Sequence, residues 1–260
     1  MNPILALWAT PRSTSTPFEW MMRQRGDFRC YHEPFNEAYY YGTDRRSTRD
    51  ADIPAPPDLS FDAVWNRLKR EAQTDNLFVK EFAYSIEHIA GDHFLSHFRH
   101  SFLIRDPAKM LPSLYNHWPD FTADEAGYVP LRALFDRICD RDGTAPPVIT
   151  SDDLLDRPDE TIKAYCLAAG VPFIADALTW ESGGRDEISW YDSGSWHDNL
   201  RTSTGISRQK RTYVAIDHDD RLKRAYDACL PDYQALLAHK LTLPPIMAAT
   251  DASQATGAAR

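Results

Sequence analysis

No stretch of this chain approaches the roughly 18 consecutive apolar residues that cross a bilayer as a helix. An apolar run, Ile4 to Trp8, does open the sequence, but it has no basic flank and meets Pro11 and Arg12 too early for a secretory leader. Positive charge is also in short supply: 29 Lys and Arg stand against 38 Asp and Glu, a formal net charge of −9. A field of that sign repels nucleic acid and anionic lipid, so neither is an expected partner, and an anionic ligand must be held by local groups. The 4 cysteines, Cys30, Cys139, Cys166 and Cys229, are scattered with no metal-ligand spacing. That excludes a disulfide framework and points to a reducing, cytoplasmic setting. Neither G-x-x-x-x-G-K-[ST] nor G-x-G-x-x-G occurs. A kinase needs a Lys on the transferred phosphates and a set of Mg²⁺ ligands, and neither is evident. No bound metal is expected.

What is present is enough apolar residue, 43% of 260, to bury one large core. Short apolar runs read as strands at Ile4–Ala9, Phe28–His32, Leu77–Phe82, Ser101–Ile104 and Pro147–Thr150. Helical periods fall at about Pro17–Arg25, Phe61–Ala72, Pro107–His117, Leu131–Arg141, Glu160–Ala169 and Arg221–His239. Thr16-Pro17-Phe18-Glu19 has the form of a capping box with Pro in the first turn. Asp44–Leu59, polar and Pro-rich, reads as a long mobile loop. Alternating strands and helices predict an α/β domain over residues 1–243, a parallel sheet flanked by helices. The Ala/Ser/Thr-rich tail, 244–260, is expected to be disordered.

In such sheets ligands bind where strands end. Thr10-Pro11-Arg12-Ser13-Thr14-Ser15-Thr16 joins the first strand to a helix, so its backbone N–H groups, hydroxyls and one guanidinium suit an anion, most naturally a phosphate. Downstream, Arg105 ends the fourth strand, and Ser113 follows eight residues later on the next helix, where the two can share a second phosphate.

Together, strand–Pro-Arg-Ser–helix and strand–Arg-x-Pro-x₅-Ser–helix resemble the P-loop-type sulfotransferases that use 3′-phosphoadenosine-5′-phosphosulfate (PAPS). The resemblance covers Ile4–Leu114, with a weaker echo near Trp196–Arg211. It implies that Arg12, Ser13, Thr14, Ser15 and Thr16 hold the 5′-phosphosulfate and that Arg105 and Ser113 hold the 3′-phosphate. It also implies a late loop, with Arg208, Lys210 and Arg211, closing on the nucleotide. The Gly usual in the first loop is absent; Thr14 and Ser15 stand near its place.

Sulfuryl transfer needs a base for the acceptor's proton and cations at the leaving oxygen. Arg12 and Lys80 are the expected cations. Glu33, after the second strand, is the first expected base, with Glu81, His32, His88 and His197 as alternatives. Tyr39, Tyr40, Tyr41, Trp118, Trp190 and Tyr191 are candidates to line a pocket for a small-molecule acceptor with a hydroxyl or an amine. The rival readings are a non-catalytic nucleotide-binding protein on the same fold and a P-loop phosphotransferase.

Overall fold

The protein, a computed structural model, is described over residues 1–183, 186–188, 198–208 and 213–245. Its strands are β1 (Ile4–Ala9), β2 (Arg29–His32), β3 (Leu77–Phe82), β4 (Phe98–Ile104) and β5 (Val148–Thr150). The helices are α1 (Ser15–Gln24), α2 (Pro34–Tyr41), α3 (Phe61–Glu71), α4 (Ala83–Ile86), α5 (Asp92–Leu95), α6 (Pro107–Tyr115), α7 (Ala123–Ala126), α8 (Tyr128–Asp142), α9 (Ser151–Asp156), α10 (Pro158–Ala169), α11 (Asp198–Thr202) and α12 (Asp220–Leu237).

The strands form one 5-stranded sheet in the order β2-β3-β1-β4-β5, every pairing parallel. β1 is central, and all 6 of its residues are buried, which its unbroken apolar run requires. Alternation splits it between two cores. Ile4, Ala6 and Trp8 face a layer with α3, α5 and α8, while Leu5, Leu7 and Ala9 face α1 and α10. The chain leaves β1 toward β2 through α1 on one face and returns through α2 and α3 on the other, the usual right-handed solution for parallel strands.

Several local expectations shift. The fourth strand starts at Phe98, because Trp8 Nε1 donates to His100 Nδ1 at 3.0 Å and so carries a polar residue into the core. α1 begins at Ser15, and its N-cap Thr14 is left-handed with no side-chain cap. The capping box is therefore not formed: Thr16 lies within the first turn, and Glu19 turns instead to Arg23 and His32. Pro34, two residues past the predicted second strand, opens helix α2.

The 44–59 segment is pinned rather than loose. Arg49 Nε and Nη2 donate to the two Glu125 oxygens at 3.0 Å, and its guanidinium lies 4.5 Å over Trp118. Arg45 donates to the carbonyls of Asp50 and Ile53. The proposed tail lies almost wholly outside the described residues, which end at 245.

The Arg49–Glu125 pair supplies a stability test. Removing Arg49 from this partly buried pair takes two charged hydrogen bonds from Glu125, which keeps those of Tyr40 and Thr122, a loss of about 2 kcal/mol. Arg49→Ala is expected to lose about that much in urea unfolding; a loss below about 0.5 kcal/mol would show that the segment is not held this way.

Candidate functional site

The loops after all the strands meet at the carboxyl edge of the sheet around one cleft. Its lining includes Pro11–Pro17, Glu33, Asn36, Tyr40, Lys80, Phe82, Tyr84, Arg105, Ser113, Trp118, Leu155, Leu200, Ser203, Gly205, Ser207, Arg208 and Tyr213.

At one end is the turn between β1 and α1. Arg12 and Thr14 take positive φ, 56° and 72°, a conformation costly for residues with a Cβ. Thr14 thus occupies a left-handed position that glycine would fill without strain. The turn is braced from several sides. Ser13 Oγ donates to the Thr10 carbonyl at 2.6 Å, Ser151 Oγ donates to the Ser13 carbonyl, and Arg105 Nη1 donates to the Arg12 carbonyl at 2.8 Å. Arg12 Nε donates to Ser113 Oγ at 3.1 Å, so the two phosphate segments inferred from sequence touch. With no side-chain cap on α1, its leading N–H groups face the cleft at the positive end of the helix dipole.

In the middle is a buried acid–base group. β3 carries Lys80 and Glu81 in succession, and a strand sends neighbours to opposite faces. Lys80, 1% exposed, points to the α1 side and ion-pairs with Glu33 Oε1. Glu33 is itself left-handed, φ 51°, and its Oε2 accepts from Asn36 Nδ2 at 3.2 Å. Asn36 is oriented by Ser85, whose Oγ donates to Asn36 Oδ1 at 2.9 Å. Because His32 pairs in register with Lys80, both face α1. There His32 Nδ1 lies 2.6 Å from Glu19 Oε2, and Glu19 Oε1 accepts from Arg23 at 2.7 Å. Burial opposes charge on Glu19, but His32, Arg23 and Lys80 outweigh it and hold the carboxyl down at about 2.

Glu81 goes the other way. Fully buried and outside the cleft lining, it accepts from the N–H groups of Phe35, Asn36 and Phe82 and so caps the start of α2. Burial, with the Glu33 charge beside it, lifts its carboxyl to about 8 against those donors. Glu81 thus anchors the start of α2 and does not line the cleft.

At the far end are aromatic rings. Tyr40 and Trp118 line the cleft as expected, joined by Phe82 and Tyr84. Tyr40 donates to Glu125 Oε1 at 3.0 Å. Arg208 also lines the cleft and pairs with Asp152 and Asp156 at 3.0 and 2.8 Å. Lys210, Arg211, Trp190, Tyr191, Trp196 and His197 lie outside the described residues. His88 packs on Phe61, 4.3 Å between ring centroids, and does not line the cleft. Among the described residues no group of three or more His, Cys, Asp or Glu could hold a metal ion.

The family described as Sulfotransferase domain matches residues 3–240. The chain belongs to that family. Branched-chain-amino-acid aminotransferase-like protein 2 of Arabidopsis thaliana is 27% identical over 268 aligned positions, covering 93% of this chain and 44% of that protein. Its paralogue, protein 1, is 28% identical over 241 positions, covering 91% and 42%. The chain therefore spans less than half the length of these curated relatives. Among solved structures, the sulfotransferase domain of the Synechococcus PCC 7002 olefin synthase superposes with a TM-score of 0.49 at 17% identity, covering 93% of this chain and 96% of that one. Mouse sulfotransferase SULT7A1 complexed with PAP gives 0.47 at 9% identity, covering 91% and 87%.

In this sulfotransferase domain the residues that sequence reading passed over include Asn36, Phe82 and Tyr84 at the cleft and Glu19 behind it. A Pro at the first position of a helix was the available signal for Asn36; nothing local marks the others.

Glu19 makes a pH test. Its folded-state value, about 2, lies below the ordinary 4.5, so its contribution is present above pH 4.5 and is lost as pH falls toward 2. The difference is worth about 3 kcal/mol. Thermal melts from pH 5 to 2 should fall more steeply in wild type than in Glu19→Gln; parallel slopes would show that Glu19 is not held as a carboxylate.

Proposed function

We propose that this domain transfers a sulfuryl group from PAPS to a hydroxyl or amine of a small-molecule acceptor by in-line displacement. The observation that carries this reading is the convergence of an uncapped helix N-terminus, Arg12, Arg105 and Ser113 beside a buried Lys80–Glu33 pair. The donor set fits an anion with two phosphate-bearing ends: backbone N–H groups and Arg12 for the 5′-phosphosulfate, Arg105 and Ser113 for the 3′-phosphate, and Arg208 at the rim. The late-loop residues Lys210 and Arg211 belong to the same nucleotide-binding proposal. PAPS supplies the sulfuryl group and a phosphate leaving group. The chain supplies alignment and charge. Lys80 and Arg12 neutralise charge on the departing oxygen, and Glu33, held in place by Asn36 and Pro34, takes the acceptor's proton. The aromatic wall of Tyr40, Phe82, Tyr84 and Trp118 suits an apolar acceptor body.

Two measurements test the donor and the base. Arg105→Ala is expected to weaken PAP (3′-phosphoadenosine-5′-phosphate) by roughly 1.5–3 kcal/mol in calorimetry and adenosine-5′-phosphosulfate, which lacks the 3′-phosphate, by much less. Equal losses would remove Arg105 from the 3′-phosphate. Glu33→Gln is expected to retain PAP affinity while losing at least about 100-fold in kcat. Wild-type turnover in Glu33→Gln would rule Glu33 out as the base.

A further inference from the structure

The roles above leave a buried pair behind Glu33 without a task. His32 Nδ1 is 2.6 Å from Glu19 Oε2, and on the other side of the ring His32 Nε2 is 3.7 Å from Glu33 Oε1. The side chains of His32 and Glu19 are 2% and 0% exposed.

Chemistry fixes how the ring must sit. A carboxylate only accepts hydrogen bonds, so the proton of a neutral His32 lies on Nδ1, toward Glu19. Nε2 lies on the Glu33 side of the ring. Lys80 and His32 address the same Glu33 oxygen, Oε1, while Asn36 holds Oε2. When Lys80 turns to the leaving oxygen of the donor, His32 is the group that remains at Oε1. The charged and titratable groups around the ring are Glu19 and Arg23 from α1, Lys80 from β3, and Glu33 and Glu37 from the start of α2.

We propose that His32, oriented by Glu19, stores the proton that Glu33 takes from the acceptor. The inference rests on the reading of Glu33 as base. For a hydroxyl acceptor the balance is as follows. The acceptor O–H bond breaks and its oxygen forms a bond to sulfur. The bond from sulfur to the bridging oxygen breaks, and its electron pair leaves on the 5′-phosphate of PAP. The proton passes from Glu33 to His32 Nε2, and the imidazolium lies between the carboxylates of Glu19 and Glu33 until it returns the proton to solvent as products leave. His32 and Glu19 touch neither donor nor acceptor; they are positioning residues.

The test compares His32→Gln, Glu33→Gln and wild type in kcat against pH, with PAP affinity and melting temperature as controls. A relay through the ring makes His32 part of the pH dependence of kcat. His32→Gln is expected to bind PAP like wild type, to lose roughly 10–100-fold in kcat at the optimum, and to move the acid limb down by about one pH unit or more. An unmoved limb, a limb moved upward, or wild-type kcat overturns the proposal. If Glu33→Gln loses 100-fold while His32→Gln turns over like wild type, the relay fails and Glu33 survives as base; if Glu33→Gln is active, both fail. Should His32→Gln not fold, ¹⁵N chemical shifts of the imidazole in wild type with PAP decide. The Nδ1–H tautomer at the pH of maximal rate supports the relay. The Nε2–H tautomer, or an imidazolium at that pH, overturns it.

Discussion

A buried charge survives only beside its opposite, and the carboxyl edge of this sheet is built around that rule. Arg23 and Glu19 from α1 pair on one side, Lys80 from β3 and Glu33 on the other, and the His32 ring lies between the two carboxylates. The arrangement depends on sheet register: His32 and Lys80 lie side by side on neighbouring strands and so must share a face. α1 then brings Glu19 against that face, and the turn before α1 places Arg12 at the same cleft. A one-residue slip between β2 and β3 would send His32 into the opposite core and leave Glu19 without its counterpart.

The framework was readable because its signals are local. Ile4–Ala9 is apolar throughout, ends at Thr-Pro and became the central strand with the predicted bounds. Leu77–Phe82 likewise kept its bounds, though it carries Lys80 and Glu81. Arg12, Arg105 and Ser113 stand together because each follows a strand in a parallel sheet, where all carboxyl ends share one edge.

What the sequence withheld depends on distant partners. Glu19 has the spacing of a capping residue, and only the left-handed turn at Thr14, braced by Ser13 and Arg105, moves the helix start and frees it for His32. Lys80 and Glu81 look alike as neighbours in a sequence, and only the placement of α2 makes one a cleft residue and the other a helix anchor. Phe82 joins the aromatic wall from the end of β3, and Tyr84 joins it through the short helix α4, too brief to leave a periodic trace. Arg49 docks through Glu125, 76 positions away.

Of the four left-handed non-glycine residues among the described ones, Arg12, Thr14 and Glu33 line the cleft and Asp50 does not, and each such conformation costs of order 1–3 kcal/mol. The strain is concentrated where the chemistry is proposed, while the sheet that carries it is relaxed and apolar. An effort to make this protein hardier by choosing residues for local backbone preference would therefore be drawn first to these positions. It would yield a sturdier scaffold with a slacker anion cradle, so resistance to heat and competence at the cleft pull in opposite directions along the same few residues.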